Sequence, residues 1–168
     1  MTSLHHLNTL DRSAFTAALG HLFEHSPWVA DETWPHRPFR DAAHLHAALC
    51  ATMRAASRDR QLALVNAHPD LAGRLAQQQQ LTAESTREQA SAGLNQLSAA
   101  ELATFQQLNT AYRARFGFPF IICARLNARD AILAAMQARV HHSAEAEFQT
   151  ALGEIEKIAQ LRLADLMR

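Results

Sequence analysis

Apolar positions repeat every three or four residues over most of this chain, with polar residues between them. Leu7, Leu10, Phe15, Leu19, Leu22 and Phe23 form the first such stripe, which predicts a helix running to about His25 with Asn8 and Thr9 as capping residues. Leu45, Leu49, Met53 and Ala56 space a second helix from about Asp41, and Leu62 with Val65 a third ending at His68. Leu102, Phe105, Leu108, Tyr112 and Phe116 share one side of a helix that opens at the capping box Ser98-x-x-Glu101 and stops before Gly117. Ser85-x-x-Glu88 has the same form and predicts another helix start. Asn127 is placed to cap a helix carrying Ile132, Leu133, Met136 and Val140, and Ser143 to cap a last one reaching about Leu166.

The interruptions are equally informative. Ser26 to Phe39 holds three of the five prolines and both tryptophans, so it reads as a buried, aromatic-anchored connection with at most a short helix. Pro69 disfavours helix at His68 and suits the first turn of a new one, which puts His68 at a helix junction. A polar run, Gln77 to Gln80, follows. Phe116-Gly-Phe-Pro-Phe-Ile-Ile-Cys-Ala124 is the most apolar segment, and its pattern fits a strand or a buried turn equally, although Pro119 argues against a central strand. With 5 glycines in 168 residues, the chain lacks the turns that a many-stranded sheet needs. The expected fold is all-α, a single-domain bundle of roughly seven to nine helices across residues 1–168, with no internal repeat or linker.

Charge and composition narrow the partners. Lys plus Arg total 16 and Asp plus Glu total 16, a formal net charge of +0, so the chain carries no electrostatic footprint for nucleic acid. No apolar run approaches the ~20 residues that span a bilayer. Cys50 and Cys123 form no CxxC pair and are too few for a disulfide framework, which fits a reducing compartment and two small core residues. With no signal pattern at the N-terminus and no peroxisomal address at Leu166-Met167-Arg168, the expectation is a soluble cytoplasmic protein.

Four features carry candidate chemistry. His21-Leu-Phe-Glu24-His25 fits the H-x-x-E-H zinc-peptidase pattern, but on a helical wheel His21 lies ~140° from the centre of the core stripe, so a solvated helix face is the plainer account. His5-His6, His44-x-His46 and His141-His142 likewise read as exposed polar residues, and no metal site is assigned. Arg162 falls inside the apolar stripe of the last helix, ~40° from the line through Phe148 and Leu166. An inward guanidinium needs an anion, either an internal carboxylate or the carboxylate of a ligand. In His68-Pro69-Asp70 an imidazole is fixed at a rigid junction, in either a structural or a catalytic role. Ser85 and Glu88 are accounted for by capping, yet the helix start they define would expose backbone N–H groups to an anionic or carbonyl oxygen.

Together these segments resemble one family. Phe23-Glu-His-Ser-Pro-Trp-Val29, Arg37-Pro-Phe39, Ala67-His-Pro-Asp-Leu-Ala-Gly73, Leu81 to Gln89 with Ala92-Gly-Leu94, Phe116 to Arg125, and Glu156-Lys-Ile-Ala159 with Arg162-Leu163 are similar, in order, to the blocks of the OHCU (2-oxo-4-hydroxy-4-carboxy-5-ureidoimidazoline) decarboxylase family. The resemblance runs from about Leu7 to Leu166. It implies an all-helical domain that works without a cofactor, converts its substrate to (S)-allantoin and carbon dioxide in urate breakdown, and forms a homodimer. Carried over position by position, it makes His68 the catalytic acid/base and Glu88 the important carboxylate. Pro69, Ser85, Thr86, Arg87, Gln89, Phe120, Ile121, Ile122, Cys123, Ala124 and Arg162 become substrate-binding residues, and for Arg162 the family match favours the ligand reading over the internal ion pair.

Such a reaction suits these residue types. Carbon dioxide leaves a carbon next to a ring C=N, so the substrate holds its own electron sink and needs no pyridoxal or thiamine. An imidazole, ordinarily near pKa ~6.5, can deliver the proton that one face of the ureido-bearing carbon then takes up. Two rivals remain at this point: a zinc-peptidase-like protein using His21, Glu24 and His25, and a non-catalytic helical interaction module. The latter would need an exposed apolar face, whereas every predicted helix has a polar side.

Overall fold

The computed structural model describes residues 2–73 and 80–168. It is all-α, with nine α-helices, three 3-10 turns and no strand among the described residues. None of these helices is long and apolar enough to cross a membrane. The residues group into two compact units: one comprises the chain up to Ala67 with Glu156–Arg168, the other His68–Ile155. Gln77 to Gln79 of the polar run lie outside the described residues.

The first unit is built from α1 (Leu4–Thr9), α2 (Arg12–Leu19), α3 (Trp28–Thr33), α4 (Ala42–Ala55), α5 (Arg58–Ala67) and the end of α9 (Ala144–Met167). The single helix expected over residues 7–25 is in fact broken twice. Leu10 is extended (φ −65°, ψ 143°), and the caps are Ser3 and Asp11, whose side chains accept from the His6 and Ala14 amides at 3.1 and 2.8 Å. Asn8 is used elsewhere: its Nδ2 donates to Phe39 O and its Oδ1 accepts from Phe39 N, both at 2.9 Å. The second break is a 3-10 turn, Gly20–Leu22, where a Cβ on Gly20 would come within 2.9 Å of Pro27 Cβ. The apolar stripe is nevertheless buried, Leu7, Phe15 and Leu19 completely. Burial of each such side chain contributes ~1.5–3 kcal/mol.

The proline-rich connection contains α3 and a 3-10 turn, Trp34–His36. Trp34 Nε1 donates to Leu10 O at 3.1 Å, and the Arg37 guanidinium lies 4.2 Å over the Trp34 ring. The helix expected from about Asp41 is α4, and Asp41 is its cap, accepting from His44 N at 2.7 Å. His46 is half-buried rather than exposed, its Nε2 lying 2.9 Å from Glu156 O and 3.3 Å from Cys50 Sγ. Cys50 is itself only half-buried, and desolvation, with a smaller contribution from Glu156, pushes its thiol pKa up to about 12.

The second unit holds α6 (Ala83–Ser91), α7 (Ala99–Phe116), α8 (Arg129–Arg139) and the start of α9. Ser98 and Glu101 form the expected capping box on α7. Gly117 closes that helix at φ 75°, a left-handed conformation that a side chain would strain. Phe118 to Ala124 are buried without forming a strand. Asn127 does not cap α8. Its Nδ2 donates to Cys123 O at 3.0 Å, and Ala128 takes the cap position with no side-chain bond. Ser143 does cap α9, accepting from Ala146 N at 3.2 Å.

Candidate active site

His68 follows directly on the last residue of α5 and is 7% exposed. The residues after it form a turn rather than the helical first turn that Pro69 suggested, because Ala72 adopts a left-handed conformation (φ 49°) that a right-handed helix cannot include. Strain at a non-glycine residue in that region is on the order of 1 kcal/mol. The turn closes with Gly73 N donating to Asp70 O at 3.2 Å, and a Cβ on Gly73 would lie 2.7 Å from Asp70 Cβ.

Three side chains hold this turn from two helices. Gln89 of α6 accepts the Ala72 N–H at 2.9 Å through Oε1. Asn109 of α7 donates through Nδ2 to Leu71 O at 2.9 Å. Arg113, one turn further along α7, places Nε 2.9 and 3.1 Å from the two Asp70 carboxylate oxygens. Gln89 was expected to bind substrate; its side-chain amide is engaged with the backbone of the His68 turn.

Helix α6 starts earlier than the Ser85-x-x-Glu88 pattern suggested. Thr82 is its N-cap and accepts from Ser85 N at 3.2 Å, so neither Ser85 nor Glu88 is a capping residue. Helical periodicity then sorts the stretch: Ser85 and Gln89 are buried and Glu88 half-buried, whereas Thr86 and Arg87 are exposed and bonded to their own helix, Thr86 Oγ1 to Thr82 O at 2.9 Å and Arg87 Nε to Ala83 O at 3.2 Å.

Phe120, Ile121, Ile122, Cys123 and Ala124 are all buried. Cys123 N donates to Glu154 Oε2 at 2.8 Å, which ties this segment to α9. Burial pushes the Cys123 thiol pKa up, and the carboxylates of Glu154 and then Glu88 push it further. Glu88 is therefore close enough to act electrostatically on the Phe120–Ala124 segment, and the 3-10 turn that follows, Ala124–Leu126, packs against α6. Phe120 is also fixed from behind. The Tyr112 ring meets it edge-on at 5.3 Å and the Arg139 guanidinium lies 4.3 Å over it. Tyr112 and Arg139 in turn both bond the fully buried Glu147, Arg139 at 2.9 and 2.5 Å.

His68, Ser85, Glu88 and the Phe120–Ala124 segment thus belong to one unit. Arg162 belongs to the other. There its Nη2 donates to Glu24 Oε2 at 3.0 Å and its Nη1 to His21 O at 3.2 Å. Glu24 is thus the internal carboxylate that the ion-pair reading of Arg162 requires. The same contact overturns the zinc reading, because Glu24 is turned into the core at 3% exposure while His21 and His25 are exposed. His25 is also left-handed (φ 45°), so the motif does not lie on one helix. Among the described residues no three His, Cys, Asp or Glu side chains converge on a metal site.

Asn109, Arg113 and Glu154 escaped the sequence reading. Asn109 did leave a signal: it stands four residues after Phe105 and three before Tyr112, a polar side chain within an apolar stripe. Glu154, beside Ile155 on the buried side of α9, left the same kind of signal.

Comparison with known proteins adds a family to this geometry. The sequence profile of the family described as OHCU decarboxylase matches residues 8–164. A 2-oxo-4-hydroxy-4-carboxy-5-ureidoimidazoline decarboxylase of Haloferax volcanii is 47% identical over 163 residues, 97% of this chain and 95% of the relative. One of Mus musculus is 42% identical over 161 residues, 96% and 90% of the two chains. Among solved structures, an (S)-allantoin synthase superposes with a TM-score of 0.78 at 32% identity, covering all of this chain and 54% of that one. An OHCU decarboxylase crystallised in the presence of (S)-allantoin shares the fold, with a TM-score of 0.71 at 23% identity over 94% and 99% of the two chains.

Proposed function

The chain belongs to the OHCU decarboxylase family, and from that premise we propose that it decarboxylates 2-oxo-4-hydroxy-4-carboxy-5-ureidoimidazoline to (S)-allantoin, with His68 delivering the proton. It is a carboxy-lyase of urate breakdown. The observation that supports the residue assignment is a buried imidazole on a turn held by Gln89 of α6, in the same unit as the Ser85–Glu88 face of that helix and the buried Phe120–Ala124 segment.

The bond from the ring carbon to the carboxylate breaks heterolytically, and its electron pair passes into the adjacent C=N unit. Carbon dioxide departs, and a proton must then reach one face of the ureido-bearing carbon. His68 supplies it, since an imidazole exchanges protons near neutrality. Glu88 holds either the imidazole or the ureido N–H groups, and Ser85 supplies a hydroxyl contact. Phe120, Ile121 and Ile122 exclude water, which favours losing the carboxylate's charge. Pro69, Thr86, Arg87, Gln89, Cys123 and Ala124 complete the binding set by family likeness. A cytoplasmic location and a homodimer belong to the same reading.

The test is an assay on substrate generated freshly from urate, following the optical activity of (S)-allantoin for the wild type and for His68→Ala. Removal of a general acid predicts a loss of ~10²–10⁴ in the enzymic rate with the fold retained. Wild-type turnover in folded His68→Ala overturns the assignment of the proton to His68.

A further inference from the structure

The peptide unit between Leu71 and Ala72 is held at both of its polar atoms. Asn109 donates to its carbonyl at 2.9 Å, and Gln89 accepts its N–H at 2.9 Å. These contacts fix the plane of the peptide that leads into the left-handed Ala72, four residues from His68. Neither partner is local, since Asn109 comes from α7 and Gln89 from α6.

Asn109 bears a cost that packing does not explain. Its side chain sits at 6% exposure on the buried face of α7, and its Oδ1 is buried with no hydrogen-bond partner among the described residues. An acceptor unmatched in a core is unfavourable, and an apolar side chain of similar volume would avoid the penalty. Among the described residues, the one bond this side chain makes goes to the turn that carries His68. Arg113 grips the same turn from outside through Asp70, so α7 holds it at two successive residues.

We propose that Asn109 is a positioning residue for decarboxylation, acting on His68 through the Leu71–Ala72 peptide; this rests on the reading of His68 as the proton donor. Asn109 does not touch the reacting atoms in this account. It keeps the turn in its left-handed form, and with it the placement of the imidazole. A displacement of about 1 Å at a reacting group can cost on the order of a hundredfold in rate.

Asn109→Leu is the variant to measure, for kcat, KM and Tm, beside His68→Ala. The expected result is a Tm within a few degrees of wild type, a KM changed by less than about threefold, and a kcat lowered about tenfold or more. Adding Ala72→Gly is expected to restore part of that kcat, because glycine enters the left-handed region without strain. Wild-type kcat in folded Asn109→Leu overturns the proposal. So does failure of Asn109→Leu to fold, or a lowered kcat that Ala72→Gly leaves untouched, since each makes the amide a core residue only. His68→Ala separates the two claims: if it keeps wild-type kcat the premise fails and the proposal with it, whereas if it loses turnover while Asn109→Leu does not, only the role of Asn109 fails.

Discussion

Arg162 and Glu24, 138 residues apart in sequence, meet at 3.0 Å between Nη2 and Oε2, with side chains only 4% and 2% exposed. The guanidinium also donates to His21 O, so it braces the 3-10 turn just before Glu24 as well as the carboxylate itself. A charge pair this well buried gains little over an apolar pair of the same shape, but removing one partner alone leaves the other charge in the core without it.

Arg162→Met, which keeps much of the apolar stem, is therefore expected to cost about 3–5 kcal/mol, a fall in Tm on the order of 10 °C for a chain of this size. Adding Glu24→Leu should recover much of the loss. Tm and kcat/KM measured side by side distinguish this from the substrate contact that family likeness suggests. A severe loss of Tm with intact turnover in the remaining folded protein assigns Arg162 to the core, and a drop in kcat/KM with little change in Tm assigns it to the substrate.

Glu88 gives a cleaner separation, because the helix it was expected to cap is capped by Thr82. Glu88→Gln should leave Tm within a few degrees of wild type while lowering kcat by ~10² or more, the scale of a lost acid–base or orienting group. Thr82→Ala should do the opposite, costing about 1 kcal/mol of stability with kcat preserved. Equal turnover in wild type and Glu88→Gln would remove Glu88 from the mechanism.

The elements legible in the sequence were those fixed by local chemistry. Ser98 with Glu101, and Ser143, cap the helices they were expected to cap, because capping depends on atoms within three residues. The stripe from Phe148 to Leu163 is likewise buried as its spacing indicates. The misreadings arose where a distant partner decides. Asn8 is a good cap by type, but it is engaged with the Phe39 backbone, 31 residues away. Asn127 is drawn to Cys123 O. Ser85 and Glu88 make a capping pattern that Thr82, three residues before Ser85, pre-empts. For the site, His68 at a junction and Arg162 pointing inward were both readable. That Glu24 would answer Arg162, or Asn109 the Leu71 carbonyl, was not, because pairings across 138 and 38 residues follow from packing alone.

Tyr112 provides a test of the buried polar cluster behind Phe120, and it is the only tyrosine in the chain. Its ring is 1% exposed and its hydroxyl donates to Glu147, which is fully buried and also holds Arg139, with His142 Nδ1 3.0 Å from its other oxygen. Burial first, and then the bond to and charge of Glu147, push the phenol pKa well above its ordinary value. A folded-state pKa above the unfolded value near ~10 means that the native protein holds this proton more tightly. The associated stability is fully present below pH ~10 and is lost as pH rises above it. In an alkaline titration followed by near-ultraviolet absorbance, tyrosinate should therefore be missing at pH ~10 and appear only together with the loss of helical circular dichroism. Glu147→Gln should bring the ionisation to lower pH, since it removes the charge that opposes tyrosinate. Reversible tyrosinate formation at pH ~10 in the folded wild type would show that the Tyr112 hydroxyl is not engaged with Glu147 in the core.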